Sequence, residues 1–393
     1  MELANIDDTG RKFVVGRKNE ARIIGVGNTE YRKKIDRPAE VLAIEAVLAA
    51  AADAGIDARQ IDGIIPYPGH VGDDVIQAEL SLNPRFRATI DMGGCGAVSA
   101  LRLASMAVVS GAADHVLLFR GLRGSSGTRK ADRPSFLPGQ PFRRHLEHVY
   151  GMNTPAQRYA VLCQRYKHEY GLDRRTLGEI ALAARAHANL NPNAQMHGRE
   201  LTMDDYLAGR MIADPYTLFD CCLETDGASA VIVSTRNEAR DIRILSVAEA
   251  QGVSPDDTSN RDPFLDIGLT QSADRVWNDL GMGPGDMDAA MIYDCFTFEV
   301  LHQIEEAGFA AHGEAAALIA DGGIRLGGKL PINTHGGMLS EAHQAGLNHV
   351  IESVRQLRGE CGGRQVENAR LIAVTGWGQL GDGSFAVLGG KNV

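Results

Sequence analysis

Two Gly-Gly turns in this sequence carry the halves of a candidate catalytic pair. The first lies in Ala88-Thr-Ile-Asp-Met-Gly93-Gly94-Cys95 and sets a thiol beside the turn. The second lies in Pro331-Ile-Asn-Thr-His335-Gly336-Gly337, and a helical run containing His343 is expected to follow it. A thiol becomes a nucleophile when an imidazole or a positive field stabilises its thiolate. Imidazole by itself moves protons near neutral pH. Tyr293-Asp294-Cys295-Phe296 ends an apolar run and adds a phenol and a second thiol at a strand terminus, where α/β folds place their chemistry.

Each group has a plainer reading. Cys95, between small residues, is by default a packed thiol. Tyr293 could be a core tyrosine, and His335 a group that braces its turn. Cys221-Cys222 reads as core strand. The chain has no CxxC and no HExxH, so no metal site is expected. His145-Leu-Glu-His148 has helical spacing but reads as a solvated pair.

The elements that position these groups form a repeat. Asp53-Ala-Gly55-Ile, closing an Ala-rich helix from Pro38, leads into Ile61-Asp62-Gly-Ile-Ile65. Asp279-Leu-Gly281-Met leads in step into Met287-Asp288-Ala-Ala-Met291. With the two Gly-Gly turns and the matching strands from Ala21 and Asp241, three correspondences fall in the same order, which implies internal duplication. Strands alternate with helices, so a mainly parallel sheet is expected. Residues 1–20 read as an N-terminal arm, 21–240 as the first half and 241–393 as the second. A mostly helical excursion at about 121–210, with helices at Thr154–Tyr170 and Thr176–Leu190, reads as a substrate cover.

At 393 residues, 44% hydrophobic and 23% charged, the chain has the make-up of an ordinary globular protein with room for two cores. Its net charge of −10 argues against a nucleic-acid or anionic-membrane surface. The N-terminus lacks the basic and apolar regions of a signal peptide, and no run of about 18 apolar residues exists to span a bilayer. Six cysteines in a chain this long form no disulfide framework, which points to a reducing cytoplasm.

Four segments resemble the thiolase superfamily, in its sterol-carrier-protein-X branch. They are Cys221-Cys222-Leu-Glu-Thr-Asp226-Gly227-Ala, Tyr293-Asp294-Cys295-Phe296, Asn333-Thr-His-Gly336-Gly337…His343 and Asn189-Leu-Asn-Pro192-Asn-Ala-Gln195. The likeness runs from about residue 20 to the end. It implies a thiolase fold: duplicated βαβαβαββ halves in a five-layered αβαβα sandwich, usually a homodimer, acting on coenzyme A thioesters. It places His343 as the activating histidine, Cys295 as the acid/base cysteine and Tyr293 in the place of an oxyanion-hole histidine. Aligning Ser99-Ala100-Leu101 puts Gly94, not Cys95, where the family keeps its nucleophile.

Gly93-Gly94, Tyr293-Asp-Cys-Phe-Thr297 and Gly336-Gly-Met-Leu-Ser-Glu-Ala342 also resemble the bacterial steroid side-chain aldolases. These tend to carry tyrosine at the position of His343. That likeness implies a carbon–carbon lyase that cleaves a bulky 3-hydroxyacyl-CoA of the steroid side-chain type by retro-aldol reaction. It also implies a small partner protein with an OB-fold and a zinc ribbon. The reaction needs a base for the 3-hydroxyl, donors for the enolate oxygen and an acid for C2, but no covalent nucleophile. Tyr293, His343 and Cys295 are expected to move protons. His335, Asn333, Asp294 and backbone N–H groups at Gly336-Gly337 are expected to form or support the oxyanion hole. Coenzyme A enters with the substrate, and no tightly bound cofactor is expected. The alternatives are a thiolase-type acyltransferase using Cys95 and a non-catalytic thiolase-like scaffold subunit.

Overall fold

The computed structural model describes residues 20–67, 71–127, 145, 147–253 and 260–391, with the backbone of short strands at 5–6 and 12–13. Most of the expected N-terminal arm and much of the loop from 121 to 144 therefore lie outside the described residues. Nine strands form one sheet: β1 (Arg22–Asn28), β2 (Gly63–Pro66), β3 (Phe86–Arg87), β4 (His115–Arg123), β5 (Asp226–Ser234), β6 (Ile242–Gln251), β7 (Ala289–Met291), β8 (Leu371–Gly378) and β9 (Asp382–Gly389). Their order across the sheet is β3-β2-β4-β5-β1-β6-β9-β8-β7. Each half thus repeats one order about the β1–β6 junction. The third strand of the second half survives as the parallel bridge Ala290–Ile332.

The expectation of a mainly parallel sheet is corrected. Only β2–β3, β2–β4 and β7–β8 pair in parallel. Each half ends on a strand antiparallel to both neighbours, and β8 turns directly into β9 with no crossover. A tight hairpin can join only antiparallel strands.

Strand alternation explains the layers. On β1, β2, β4 and β5, Ile24, Ile64, Leu117, Phe119 and Ile232 pack against helix α1 (Ala39–Ala54). Their neighbours Ile23, Ile65, Val116, Leu118 and Val231 face inward. There they meet α2 (Gly96–Val109), the C-terminal helix at Leu347–Arg358, and Met291, Ile372, Val374 and Leu388 of the second half. The opposite face of the second half, with Ala290, Ala373, Phe385 and Val387, carries the outer helices at Gly268–Leu280 and Thr297–Glu306. The two halves of the one sheet supply the two strand layers, and with the outer helices and the inner helix pair they give the expected five-layered αβαβα sandwich of the thiolase fold.

The excursion from the first half contains α3 (Pro155–Tyr170) and α4 (Arg174–Asn189). Their apolar faces join the core of the second half, not the first. Tyr159 meets Trp377 edge-on at 5.2 Å and Phe296 at 5.4 Å, and the Tyr166 hydroxyl donates to Glu305 at 2.6 Å. The long helices of the second half are α5 (Gly268–Leu280), α6 (Thr297–Glu306) and α7 (Leu347–Arg358). No described helix is long and apolar enough to cross a membrane.

Candidate active site

The site forms where the C-terminal end of β7, the second Gly-Gly turn and the segment before β5 meet. Tyr293, Asp294 and Cys295 follow β7 and precede α6. The Tyr293 backbone is clamped on both sides: its N–H donates to Thr375 Oγ1 at 3.2 Å and its carbonyl accepts from Gln303 Nε2 at 2.6 Å. Cys295 lies beside Cys222. The antiparallel bridge Cys221–Phe296 sets the two chains in register, and Cys222 N–H donates to the Cys295 carbonyl at 2.8 Å. Their sulfurs are 3.3 Å apart, and Cys295 Sγ is 3.9 Å from His343 Nε2. Cys222 therefore belongs to this cluster, not to a core strand as its sequence context suggested.

His343 is 6% exposed, but it is not helical. The turn Gly337–Glu341 is a single π-helical turn, Ala342 is extended, and α7 begins only at Leu347. This corrects the expected helix through His343. The cause is local: Ala345 and Gly346 both have left-handed φ, at +52° and +92°, which breaks the helical run. His343 N–H donates to Thr225 Oγ1 at 3.2 Å, fixing the segment to the strand entry.

The π-turn is held from behind. Asp294 is fully buried, and its carboxylate accepts from the N–H groups of Met338 at 2.8 Å and Leu339 at 3.2 Å. His349 Nε2 lies 3.1 Å from the same carboxylate. Burial raises the Asp294 pKa, against the lowering effects of His349 and the two N–H groups. Glycine is required at 337, where φ is +62° and an added Cβ would lie 2.8 Å from Asp294 Cγ. The Gln195 and Met196 N–H groups donate to the carbonyls of Glu341 and Ser340 at 3.0 and 3.1 Å. Asn191 Nδ2 reaches Glu341 Oε1 at 2.9 Å, so the Asn-Pro-x-x-Gln-like segment buttresses the turn.

This bracing reassigns several groups expected at the oxyanion hole. The N–H groups of Met338 and Leu339 already donate to Asp294. Asn333 uses its amide as a clip: Oδ1 accepts from Ile292 N–H and Nδ2 donates to the Ile292 carbonyl, both at 2.8 Å. His335 is fully buried behind the turn, with its ring 4.9 Å from that of His349 and Nε2 3.7 Å from Glu341. Burial, and secondarily the neighbouring His349 ring, holds its pKa well below the usual value, so it stays neutral. The contacts of His335 and Asn333 thus lie in the scaffold, whereas Tyr293, Cys295 and His343 line the cluster.

At the first Gly-Gly turn the decisive position is Gly94. An added Cβ there would lie 2.5 Å from Tyr293 Cε1 and would also clash with the Trp377 carbonyl. The Tyr293 ring occupies the space that a side chain at 94 would need. Cys95 points elsewhere: it is fully buried, and its thiol donates to the Gly376 carbonyl at 3.4 Å. Burial, and secondarily the Asp382 charge, pushes its pKa well above the thiol range. Such a thiol is a poor source of thiolate.

Sequence reasoning missed Tyr67, whose hydroxyl donates to the Gly93 carbonyl and whose ring carries the Arg120 guanidinium 5.0 Å from its centroid. It also missed Glu299, buried at the start of α6 and accepting from Phe296 N–H at 3.2 Å. Burial raises its pKa well above the carboxylate range. Glu341, quoted only as part of a string, is raised to about 8, first by burial.

Comparison with known proteins gives the family. Residues 250–390 match the thiolase C-terminal domain-like family. The chain is 38% identical over 356 residues to a 17-hydroxy-3-oxo-4-pregnene-20-carboxyl-CoA lyase of Mycobacterium tuberculosis, covering 86% of this chain and 92% of that protein. It is 36% identical to a steroid side-chain-cleaving aldolase of Thermomonospora curvata, covering 91% and 95% of the two. Among solved structures, the Ltp2-ChsH2(DUF35) aldolase superposes with TM-score 0.88 at 33% identity, covering 95% of this chain and 98% of that one. The chain belongs to the thiolase superfamily, within the branch of the steroid side-chain-cleaving aldolases.

Proposed function

We propose that this protein is a lyase that cleaves the C2–C3 bond of a bulky 3-hydroxyacyl-CoA by a retro-aldol reaction. The substrate class is a steroid side-chain thioester, giving a ketone or aldehyde and a shortened acyl-CoA. The observation that carries the reading is Gly94: the place of a covalent nucleophile holds the Tyr293 ring, and the adjacent thiol is buried and turned away.

His343 takes the proton of the 3-hydroxyl. The C2–C3 electron pair moves into the thioester as the carbonyl forms at C3, leaving an enolate. Burial and the neighbouring Cys295 raise the Tyr293 pKa well above 10, so its phenol stays protonated. It therefore serves as the donor to the enolate, and its proton is replaced through Cys295 and His343. The thiolase alternative needs Cys95 as thiolate and has no such support. A scaffold role leaves the clamped Tyr293 and the Cys295–His343 pair without a purpose.

The chain works as a homodimer with a small OB-fold, zinc-ribbon partner, a reading supported by the DUF35 component named in the similar structure. The test is product analysis with a 3-hydroxyacyl-CoA and no free coenzyme A. Release of a ketone or aldehyde with one acyl-CoA is expected. A reaction that proceeds only with added coenzyme A, or that yields two acyl-CoA products, would refute it.

A further inference from the structure

Cys222, Cys295 and His343 offer three ligand atoms that all lie within 4.8 Å of one another. We propose that these residues form a binding site for one thiophilic divalent cation of the zinc type, and that the bound cation switches the enzyme off.

The donor set is two thiols and one imidazole, the soft combination that selects zinc over magnesium or calcium. A tetrahedral zinc with Zn–S near 2.3 Å and Zn–N near 2.0–2.1 Å needs S–S edges of about 3.8 Å and S–N edges of about 3.6 Å. The Cys222–Cys295 separation of 3.3 Å and the Cys295–His343 separation of 3.9 Å lie within about half an ångström of those edges, and the Cys222–His343 edge lies within 4.8 Å. Binding the cation draws the imidazole toward Cys222.

The backbone already holds the ligands together. The Cys221–Phe296 bridge fixes the two cysteines, and the His343–Thr225 hydrogen bond fixes the imidazole segment. The cysteines are half-buried and the histidine buried, so a cation can enter but is shielded from bulk water. Three protein donors leave one coordination position for water. Binding replaces one proton on each thiol, and both protons pass to solvent, with no change of oxidation state. Affinity therefore rises with pH until the thiols are fully ionised.

The cation takes the His343 Nε2 lone pair and the Cys295 sulfur, the groups assigned to proton transfer. The inhibitory part of the inference rests on that assignment; the binding part does not. Cys222 touches the proton-transfer thiol, so zinc sensitivity in its variants is read against each variant's own metal-free rate.

The experiment titrates the full chain with Co2+ after chelator treatment and under a non-thiol reductant. One equivalent should bind, with near-ultraviolet thiolate-to-cobalt charge-transfer absorption and the visible bands of tetrahedral cobalt. Cys222→Ala and Cys222→Ser should weaken binding beyond the roughly 10–100-fold typical of losing an outer partner, while Cys221→Ala should not. In parallel, Zn2+ should inhibit wild-type turnover reversibly with EDTA, and Cys222→Ala, measured against its own metal-free rate, should need at least tenfold more zinc for the same fractional inhibition. Equal cobalt binding by wild type and Cys222→Ala would overturn the site. Cobalt binding as described in a metal-free enzyme that turns over no 3-hydroxyacyl-CoA would instead overturn the functional reading and leave the site standing.

Discussion

Gly94→Ala puts the retro-aldol reading under direct strain. The new methyl carbon would stand 2.5 Å from Tyr293 Cε1, with the Trp377 carbonyl behind it. Ordinary carbon–carbon contact begins near 3.5 Å, so the phenol must retreat by about 1 Å. Overpacking of this size costs roughly 1–3 kcal/mol of stability. Displacing a reacting group by about 1 Å costs on the order of 100-fold in rate. We therefore expect a folded protein with a slightly lower Tm and kcat reduced about 100-fold, followed by ketone release from a 3-hydroxyacyl-CoA. The control is a double variant. In a Tyr293→Phe background the displaced hydroxyl is already gone, so adding Gly94→Ala should lower kcat by only a few-fold more. If Gly94→Ala alone turns over within threefold of wild type at unchanged KM, the Tyr293 ring does not fill the reactive space. If the two substitutions multiply fully, the loss at Gly94 does not act through Tyr293.

Tyr293→Phe alone should lower kcat by about 100-fold or more, the range for a lost general acid, with KM little changed. Cys95→Ala should keep activity within a few-fold, because the thiol is fully buried and held by the Gly376 carbonyl and Ser384; complete loss with an unchanged Tm would restore the thiolase reading. Glu341 carries a pKa near 8 in the folded state against an ordinary value near 4.5. A raised carboxyl pKa means that the unfolded chain loses this proton first, so stability falls as pH rises from about 4.5 to 8. Glu341→Gln should flatten that part of the Tm–pH curve, and an unchanged slope would show that Glu341 is not its source. Gly337→Ala should destabilise the chain by at least about 1–3 kcal/mol through left-handed strain alone, with Asp294 displaced besides.

Much of the fold is legible in the residues because its signals are periodic. The repeated Asp-x-Gly-apolar closures mark equivalent helix ends, and strand alternation sorts Ile23 from Ile24 and Ala373 from Val374 into different layers. The site is legible only in part. Tyr293, Cys295 and His343 stand in motifs whose chemistry shows in their side chains. Cys222 reads as core because its pairing partner, Cys295, lies 73 residues away. Asn333 and His335 look like site groups, yet the Asn333 amide is bonded to Ile292 and the His335 ring packs edge-on against His349, contacts that no local pattern reveals. His343 fails to be helical because Ala345 adopts a left-handed conformation that alanine composition alone would not suggest.

The helical excursion has a consequence for the order of events at the ribosome. Helices α3 and α4 leave the exit tunnel well before the surface they cover exists; Tyr166 and its partner Glu305 are separated by 139 residues. The first half can assemble its own sheet as it emerges, but the apolar faces of these helices must wait. Loop closure over such a span is slow relative to local folding. The nascent chain therefore passes through a stage with Tyr159, Leu162, Tyr166 and Leu177 uncovered, a substrate for chaperones until Phe296, Phe298 and Trp377 arrive. Truncation after the first half should yield an aggregating fragment, and synthesis rate between the halves becomes a control on yield.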